Sequence, residues 1–355
     1  MNFIKTNRVH FHTFDSLRFL SFLFVFLHHS PISPNSWLHY FSTEGGIGVS
    51  FFFVLSGFLI TYILIIEKIK HQGKVPLKKF FKRRILRIWP LYYAMVLFAM
   101  VTPLILNFLN LPYSDKGYHP NWVLTLTFLE NYKGMFEHRL PNISPLTVIW
   151  SLCVEEHFYI FWGLVFYFIS LKNIPKLLIS CIVFSFIMQT VYEKYGMNTA
   201  DLFTNIHYFA FGAVPAYFFV FRNDLIEKLG RIQAVYKYMY ALLVLAFILI
   251  IANTTFISDL KISSLLLSIL FSILILFTLS KKNPFKITDK NILAWLGKHT
   301  YGLYMFHTIC LVLFSRIGIY VKLDWIMITL LSFISSILIS ILSYHLFEKQ
   351  FLKFK

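Results

Sequence analysis

Apolar residues along this chain gather in runs of about 20, the length an α-helix needs to cross the hydrocarbon core of a bilayer. The runs fall at 14–31, 46–66, 89–110, 150–171, 175–193, 202–221, 235–254, 259–280, 299–318 and 323–347. The pattern predicts an all-α polytopic integral membrane protein with about ten transmembrane helices. The longest break between them is Leu111 to Ile149, which holds Pro112, Pro120, Pro141 and Pro145. A loop of that length is often a lid or a binding element. Its apolar patch, Trp122 to Leu129, is too short to span and reads as re-entrant or interfacial. No stretch is long enough for a second core and no convincing internal repeat is found, so residues 1–355 read as one membrane domain without an appended soluble module.

The polar residues inside the runs carry the chemistry. The first run holds Arg18 and His29 among Phe, Leu and Val. At about 100° per residue, eleven residues return to within about 20° after three turns and rise about 16 Å, so the two side chains share one stripe. Asp15 lies about 60° from Arg18, and His28 is about 80° off the stripe. A charge within a bilayer costs from ~2.5 to more than 10 kcal/mol and is usually kept for a function.

Composition agrees with this reading: 57% of residues are hydrophobic, mean hydropathy is +0.67 and only 14% are charged, against about 25% in a soluble domain. The net charge of +17 would suit nucleic acid, but the basic residues sort by loop as the positive-inside rule requires, so no nucleic-acid partner is expected. Lys5 and Arg8, the 67–88 loop, the segment after 281 and the C-terminal lysines fall on one side, which places both termini in the cytoplasm. The first run ends His28-His29-Ser30-Pro31 without a small-residue cleavage site and reads as a retained helix rather than a signal peptide. Cys153, Cys181 and Cys310 lack paired spacing, so neither a disulfide framework nor a metal site is expected.

Four further segments stand out. Gly45-Gly46-Ile47-Gly48 through Ser56-Gly57-Phe58 offers small residues, either for close helix packing or for approach of a substrate to the backbone. Lys78-Lys79-Phe80-Phe81-Lys82-Arg83-Arg84-Ile85-Leu86-Arg87 is either an anchor on anionic lipid or a phosphate site, since Arg84 and Arg87, three apart, point the same way on a helix. Trp150-Ser151-Leu152-Cys153-Val154-Glu155-Glu156-His157 sets two carboxylates near the start of a helix on the far side, where His29 also ends. Either carboxylate would cap a wet helix start, or would fix and charge-compensate His29. In the ninth helix Tyr301, Tyr304 and His307 recur every three residues and would line one face, each taken singly as a packing residue, as is His207 in the sixth.

Taken together, Arg18 with His29, the segment ending Phe53-Val54-Leu55-Ser56-Gly57-Phe58-Leu59-Ile60, Arg84-Ile85-Leu86-Arg87, and Trp150 to Tyr159 resemble the integral-membrane acyltransferase-3 family over nearly the whole chain. His157, Ser50, His207 and Gln350 depart from the residues common in that family. The resemblance implies a bacterial inner-membrane O-acyltransferase. The donor would be cytoplasmic acyl-CoA, with acetyl-CoA expected. The acceptor would be a sugar hydroxyl of a surface polysaccharide such as lipopolysaccharide O-antigen, capsule or exopolysaccharide, free or lipid-linked. It also implies that Arg18, His29, Arg84 and Arg87 are required for activity.

On this expectation His29 is the base or a transient acyl carrier, and Glu155 or Glu156 orients it. Arg18 either pairs with Asp15 or contacts the donor, and Arg84 and Arg87, with Arg83 beside them, hold the donor's phosphates. The donor phosphates and His29 would lie toward opposite faces, so a channel along the Arg18 to His29 stripe is expected. The rival reading is a transporter or flippase for a lipid-linked saccharide.

Overall fold

The computed structural model describes residues 9–43, 45–110, 118–139, 141, 144–254, 261–280, 283, 287–288 and 290–355. Ten long helices occupy the ten predicted places: α1 (His12–His29), α2 (Gly46–Lys70), α3 (Leu77–Phe108), α4 (Ile149–Phe168), α5 (Ile174–Lys194), α6 (Leu202–Phe221), α7 (Ala234–Asn253), α8 (Lys261–Thr278), α9 (Thr300–Val321) and α10 (Trp325–Ser343). Among the described residues no strand occurs, and the chain is a multi-pass membrane protein. Among the described residues seven helices are long and apolar enough to cross a bilayer; α1, α6 and the described part of α8 do not qualify by length and composition. The deficit has a physical reason in α1 and α6, which spend residues on polar groups held inside the protein, such as Asp15 and Ser16 in α1 and Thr204 and His207 in α6.

Helix α3 starts at Leu77, twelve residues before the apolar run begins, so the basic segment is the first three turns of a membrane helix rather than a loop. Lys, Arg and Leu are good helix formers, and hydropathy alone does not see them as such. The apolar patch expected to be re-entrant or interfacial forms the short helix Trp122–Leu126, followed by Glu130–Phe136. The Tyr92 hydroxyl of α3 donates to the Thr125 carbonyl at 2.7 Å. Buried Glu130 gathers Tyr118, the Asn121 N–H and the Thr125 hydroxyl, the last at 3.0 Å. Residues 111–117, 140 and 142–143 of this long connection lie outside the described residues, as do Lys5, Arg8, Lys281, Lys282 and Lys286 of the charge pattern.

Helix α2 is the axis of the bundle. Against α6 the backbones nearly touch: a Cβ on Gly57 would lie 2.1 Å from the Phe209 carbonyl oxygen, and one on Gly212 would lie 1.9 Å from that of Val54. Three polar ties hold α2 to α4. Ser56 donates to Glu155 Oε1 at 2.8 Å, Trp162 Nε1 donates to Thr61 Oγ1 at 2.8 Å, and the buried Lys68 ammonium donates to the Phe166 carbonyl at 2.6 Å at the C-terminal end of α4. Those carbonyls have no partners within the helix, and a cation there also meets the negative end of the helix dipole. The register so fixed delivers Glu155 to the same level as Ser56, deep in the bundle.

Candidate active site

A cavity of about 120 Å³ opens where α1, α2, α3, α4, the short helix Ile292–Lys298 and α9 converge. Arg18, Arg84, Arg87 and Lys298 all line it, with Glu155 among them. Arg87 and Lys298 are exposed and mark its mouth. The geometry follows from local structure. Arg84 and Arg87 sit on one face of α3, as their spacing requires. Lys298 is brought in because Gly297 lets its helix lie on α1: a Cβ there would fall 1.9 Å from the Asp15 carbonyl oxygen.

Arg18 Nη1 is 2.6 Å from Asp15 Oδ1, so its pairing with Asp15 and its place in the cavity hold together. Arg84 packs its guanidinium 5.5 Å from the Tyr159 ring centroid, and its Nε is buried without a hydrogen-bond partner. A buried donor left unpaired costs about 1–3 kcal/mol, which an anionic ligand would return. Glu155 accepts from Ser56 at 2.8 Å and from the Tyr159 hydroxyl at 2.9 Å, and lines the same cavity as Arg18 and Arg84. Four cations face one carboxylate on the cavity wall. The site therefore suits a ligand with several negative charges, and the forked guanidinium donors suit phosphate oxygens.

Three expectations change here. Arg83 turns away from this cavity: its Nη1 lies 3.4 Å from Glu67 Oε1, and it lines only a second, small cavity with Lys79 and Phe80, which Arg84 borders as well. Neither carboxylate of α4 orients His29. Glu155 belongs with the arginines, and Glu156 is buried and accepts from Trp89 Nε1 at 3.1 Å. The reason is depth: Glu155 stands nearly two turns inside α4, about 9 Å below its start, whereas His29 is the last residue of α1. Lastly, the Arg18 to His29 stripe faces protein rather than lipid, but it is filled. Phe22 and Val25 occupy it between the two ends and are 0% and 1% exposed.

The partner of His29 is His307 of α9, at 3.3 Å between His29 Nδ1 and His307 Nε2. Tyr304 links this pair to the cavity. Its ring lines the cavity, its hydroxyl lies 2.6 Å from Ser151 Oγ, and its carbonyl oxygen lies 2.9 Å from His307 Nδ1. The pair Ser151 and Tyr304 thus forms the wall between the basic cavity and the histidines. Sequence reasoning placed Tyr301, Tyr304 and His307 on one face of α9 but gave them only packing, and counted Lys298 only as a loop charge. The signal for His307 was a histidine in an apolar run one face away from a second histidine's helix end, which one chain of spacing cannot register.

The family described as an acyltransferase domain matches residues 11–345. The chain is 27% identical over 325 residues to the peptidoglycan O-acetyltransferase OatA of Listeria monocytogenes, covering 85% of this chain and 50% of that protein. It is 27% identical over 323 residues to a putative O-acetyltransferase of Staphylococcus aureus, covering 82% and 49%. It is 28% identical over 356 residues to the putative peptidoglycan O-acetyltransferase YrhL of Bacillus subtilis, covering 94% and 54%. The chain spans about half the length of the curated relatives it matches, and no solved structure matches it. With the motifs and a family match over almost the whole length, this chain belongs to the membrane-bound acyltransferase-3 family.

Proposed function

We propose that this chain moves an acetyl group from acetyl-CoA, bound at the basic cavity, to a hydroxyl of a cell-wall glycan, with His29 as the base. The observation that carries this reading is the convergence of Arg18, Arg84, Arg87 and Lys298 on one cavity in which a guanidinium nitrogen is buried and unpartnered. Phosphates of the coenzyme meet that charge, and its thioester supplies the acyl group. The sugar hydroxyl gives its proton to His29 Nε2 as its oxygen bonds to the acyl carbon. The carbon–sulfur bond breaks, and the proton passes on to the departing thiolate. For the acyl carbon to reach His29, the contact of Ser151 with Tyr304 has to part.

The acceptor is argued from the relatives. Two of them carry peptidoglycan in their names, and none of the three carries lipopolysaccharide, capsule or exopolysaccharide, so peptidoglycan is the acceptor to test first. The charge bias of the loops supports a cytoplasmic side for the basic mouth and both termini, the side from which a cytoplasmic donor would enter.

The decisive measurement reconstitutes the chain in liposomes with acetyl-CoA labelled in the acetyl group and peptidoglycan fragments, and follows ester-linked label by mass spectrometry. Wild type transfers label, and His29→Ala falls at least about 100-fold, the usual range for loss of a general base. Full activity in His29→Ala would sink the base assignment. Label on another polysaccharide but not on peptidoglycan would replace the acceptor. Passage of a glycan across the bilayer without acetylation would make the protein a transporter.

A further inference from the structure

We propose that His307 is the positioning residue of His29: it locks the orientation of the His29 ring, leaves Nε2 free of a proton, and shares the charge once His29 is protonated. The inference rests on His29 being the base of the proposed transfer.

The hydrogen-bond network assigns the protons. His307 is 0% exposed, and its Nδ1 lies 2.9 Å from the Tyr304 carbonyl oxygen and 3.2 Å from that of Leu303. A carbonyl only accepts, so His307 Nδ1 carries the proton and donates. In a neutral imidazole the other nitrogen is then a bare acceptor, and His307 Nε2 must accept from whatever faces it. What faces it is His29 Nδ1 at 3.3 Å. His29 Nδ1 also lies 2.8 Å from the Val25 carbonyl oxygen, again an acceptor alone. Both contacts demand a proton on His29 Nδ1, which leaves a lone pair on Nε2. Among the described residues no group bonds Nε2, and the ring is only half-buried, so that lone pair is available to a substrate hydroxyl.

The two contacts of His29 Nδ1 do different work. Val25 is one turn back on the same helix and bends the side chain toward its own backbone. His307 stands on α9 and ties the ring across the interface, where Phe22 and Phe26 box it in with ring centroids 5.6 and 6.3 Å from that of His307. When Nε2 takes a proton, Nδ1–H becomes a donor from a cation to the neutral His307 ring, a contact that strengthens as the charge forms. The contact is therefore worth more in the transition state than before it, which is the condition for raising turnover rather than donor binding.

Three substitutions separate this role from packing. In His307→Gln the amide reaches the position of Nε2 and its oxygen accepts from His29. In His307→Asn the shorter amide reaches the Tyr304 carbonyl but not His29. His307→Leu fills the volume and does neither. In the liposome assay, with melting temperatures measured alongside, we expect His307→Gln within about fivefold of wild type. We expect turnover in His307→Asn and His307→Leu to fall about 10- to 100-fold, the size of one lost charge-assisted hydrogen bond, with KM for acetyl-CoA within about twofold. Nitrogen NMR of the ring-labelled protein adds a readout without turnover. The Val25 carbonyl keeps the proton of His29 on Nδ1 in all of them, so the readout is the ring itself: wild type and His307→Gln hold one orientation, and His307→Leu, without the tie to α9, shows averaging between orientations. Wild-type turnover in the Asn and Leu variants, or no advantage of Gln over Leu, overturns the assignment of His307. Activity surviving in His29→Ala overturns the proposed transfer instead.

Discussion

Arg83 and Arg84 are adjacent in sequence and yet serve different surroundings. A step of about 100° on α3 turns one toward Glu67 at 3.4 Å and the other into the basic cavity. The spacing of Arg84 and Arg87 was legible because two residues three apart share a face whatever the helix packs against. The direction of Arg83 was not legible, since nothing local says which face meets the cavity. The same limit applies to Glu155: its burial is evident as a cost, but its partner Ser56 comes from another helix 99 positions away. The consequence at this scale is measurable. Arg84→Ala and Arg87→Ala each raise KM for acetyl-CoA about 10- to 100-fold, the value of a charge-assisted hydrogen bond to phosphate. Arg83→Ala leaves KM within about twofold, because its charge is spent on Glu67. Equal effects of all three in steady-state kinetics would mean that the cluster acts as a diffuse field rather than as two placed forks.

At the scale of elements, the tight crossing of α2 and α6 decides where Ser56 and Gly57 point. Hydropathy located both helices to within a few residues, because a run long enough to cross a bilayer has few other readings. It left open whether the small residues of α2 served packing or substrate. The structure divides them: Gly57 abuts the α6 backbone, and Ser56, one position earlier, faces the cavity and Glu155. A Cβ 1.9 Å from a carbonyl oxygen has no room, so Gly212→Ala must push α6 off α2. We expect a loss of about 1–3 kcal/mol, the usual penalty of overpacking, seen as a lower melting temperature in detergent, and a fall in transfer as Glu155 leaves register. Gly46, where an added Cβ meets nothing within 4 Å, is the control: Gly46→Ala keeps or slightly raises stability, as Ala is the better helix former. Equal melting temperatures for the two variants would show that the crossing relaxes freely. The turn of π-helix at Tyr344–Glu348, by contrast, left no sign in the hydrophobic pattern, because one extra residue rotates the following side chains by about 100° and only Lys349–Leu352 follow it as helix to show the change.

For the whole molecule, the arrangement has a direction only if its two ends lie in different compartments. The exposed mouth residues Arg87 and Lys298 and the half-buried His29 are reached along α1 from opposite ends, about 16 Å apart between Arg18 and His29. The sequence made this separation legible through two independent patterns, the helical stripe and the bias of Lys and Arg toward alternate loops. What it could not supply was the filling of the stripe by Phe22 and Val25, which closes the expected channel and leaves the basic cavity on one side of Ser151 and Tyr304 and the histidine pair on the other. The compartments can be read directly. The native cysteines are all buried, so a cysteine introduced at an exposed position reports its own side of the membrane. Asn35, six residues past His29, and Lys74, between α2 and α3, are both exposed and are separated by the 25 residues of α2. With a charged, membrane-impermeant maleimide added from the outer face, Asn35→Cys reacts, while Lys74→Cys reacts only when the membrane is breached. The reverse order would put the basic mouth outside, where a cytoplasmic donor does not reach it, and the cavity would then need another polyanion as its ligand.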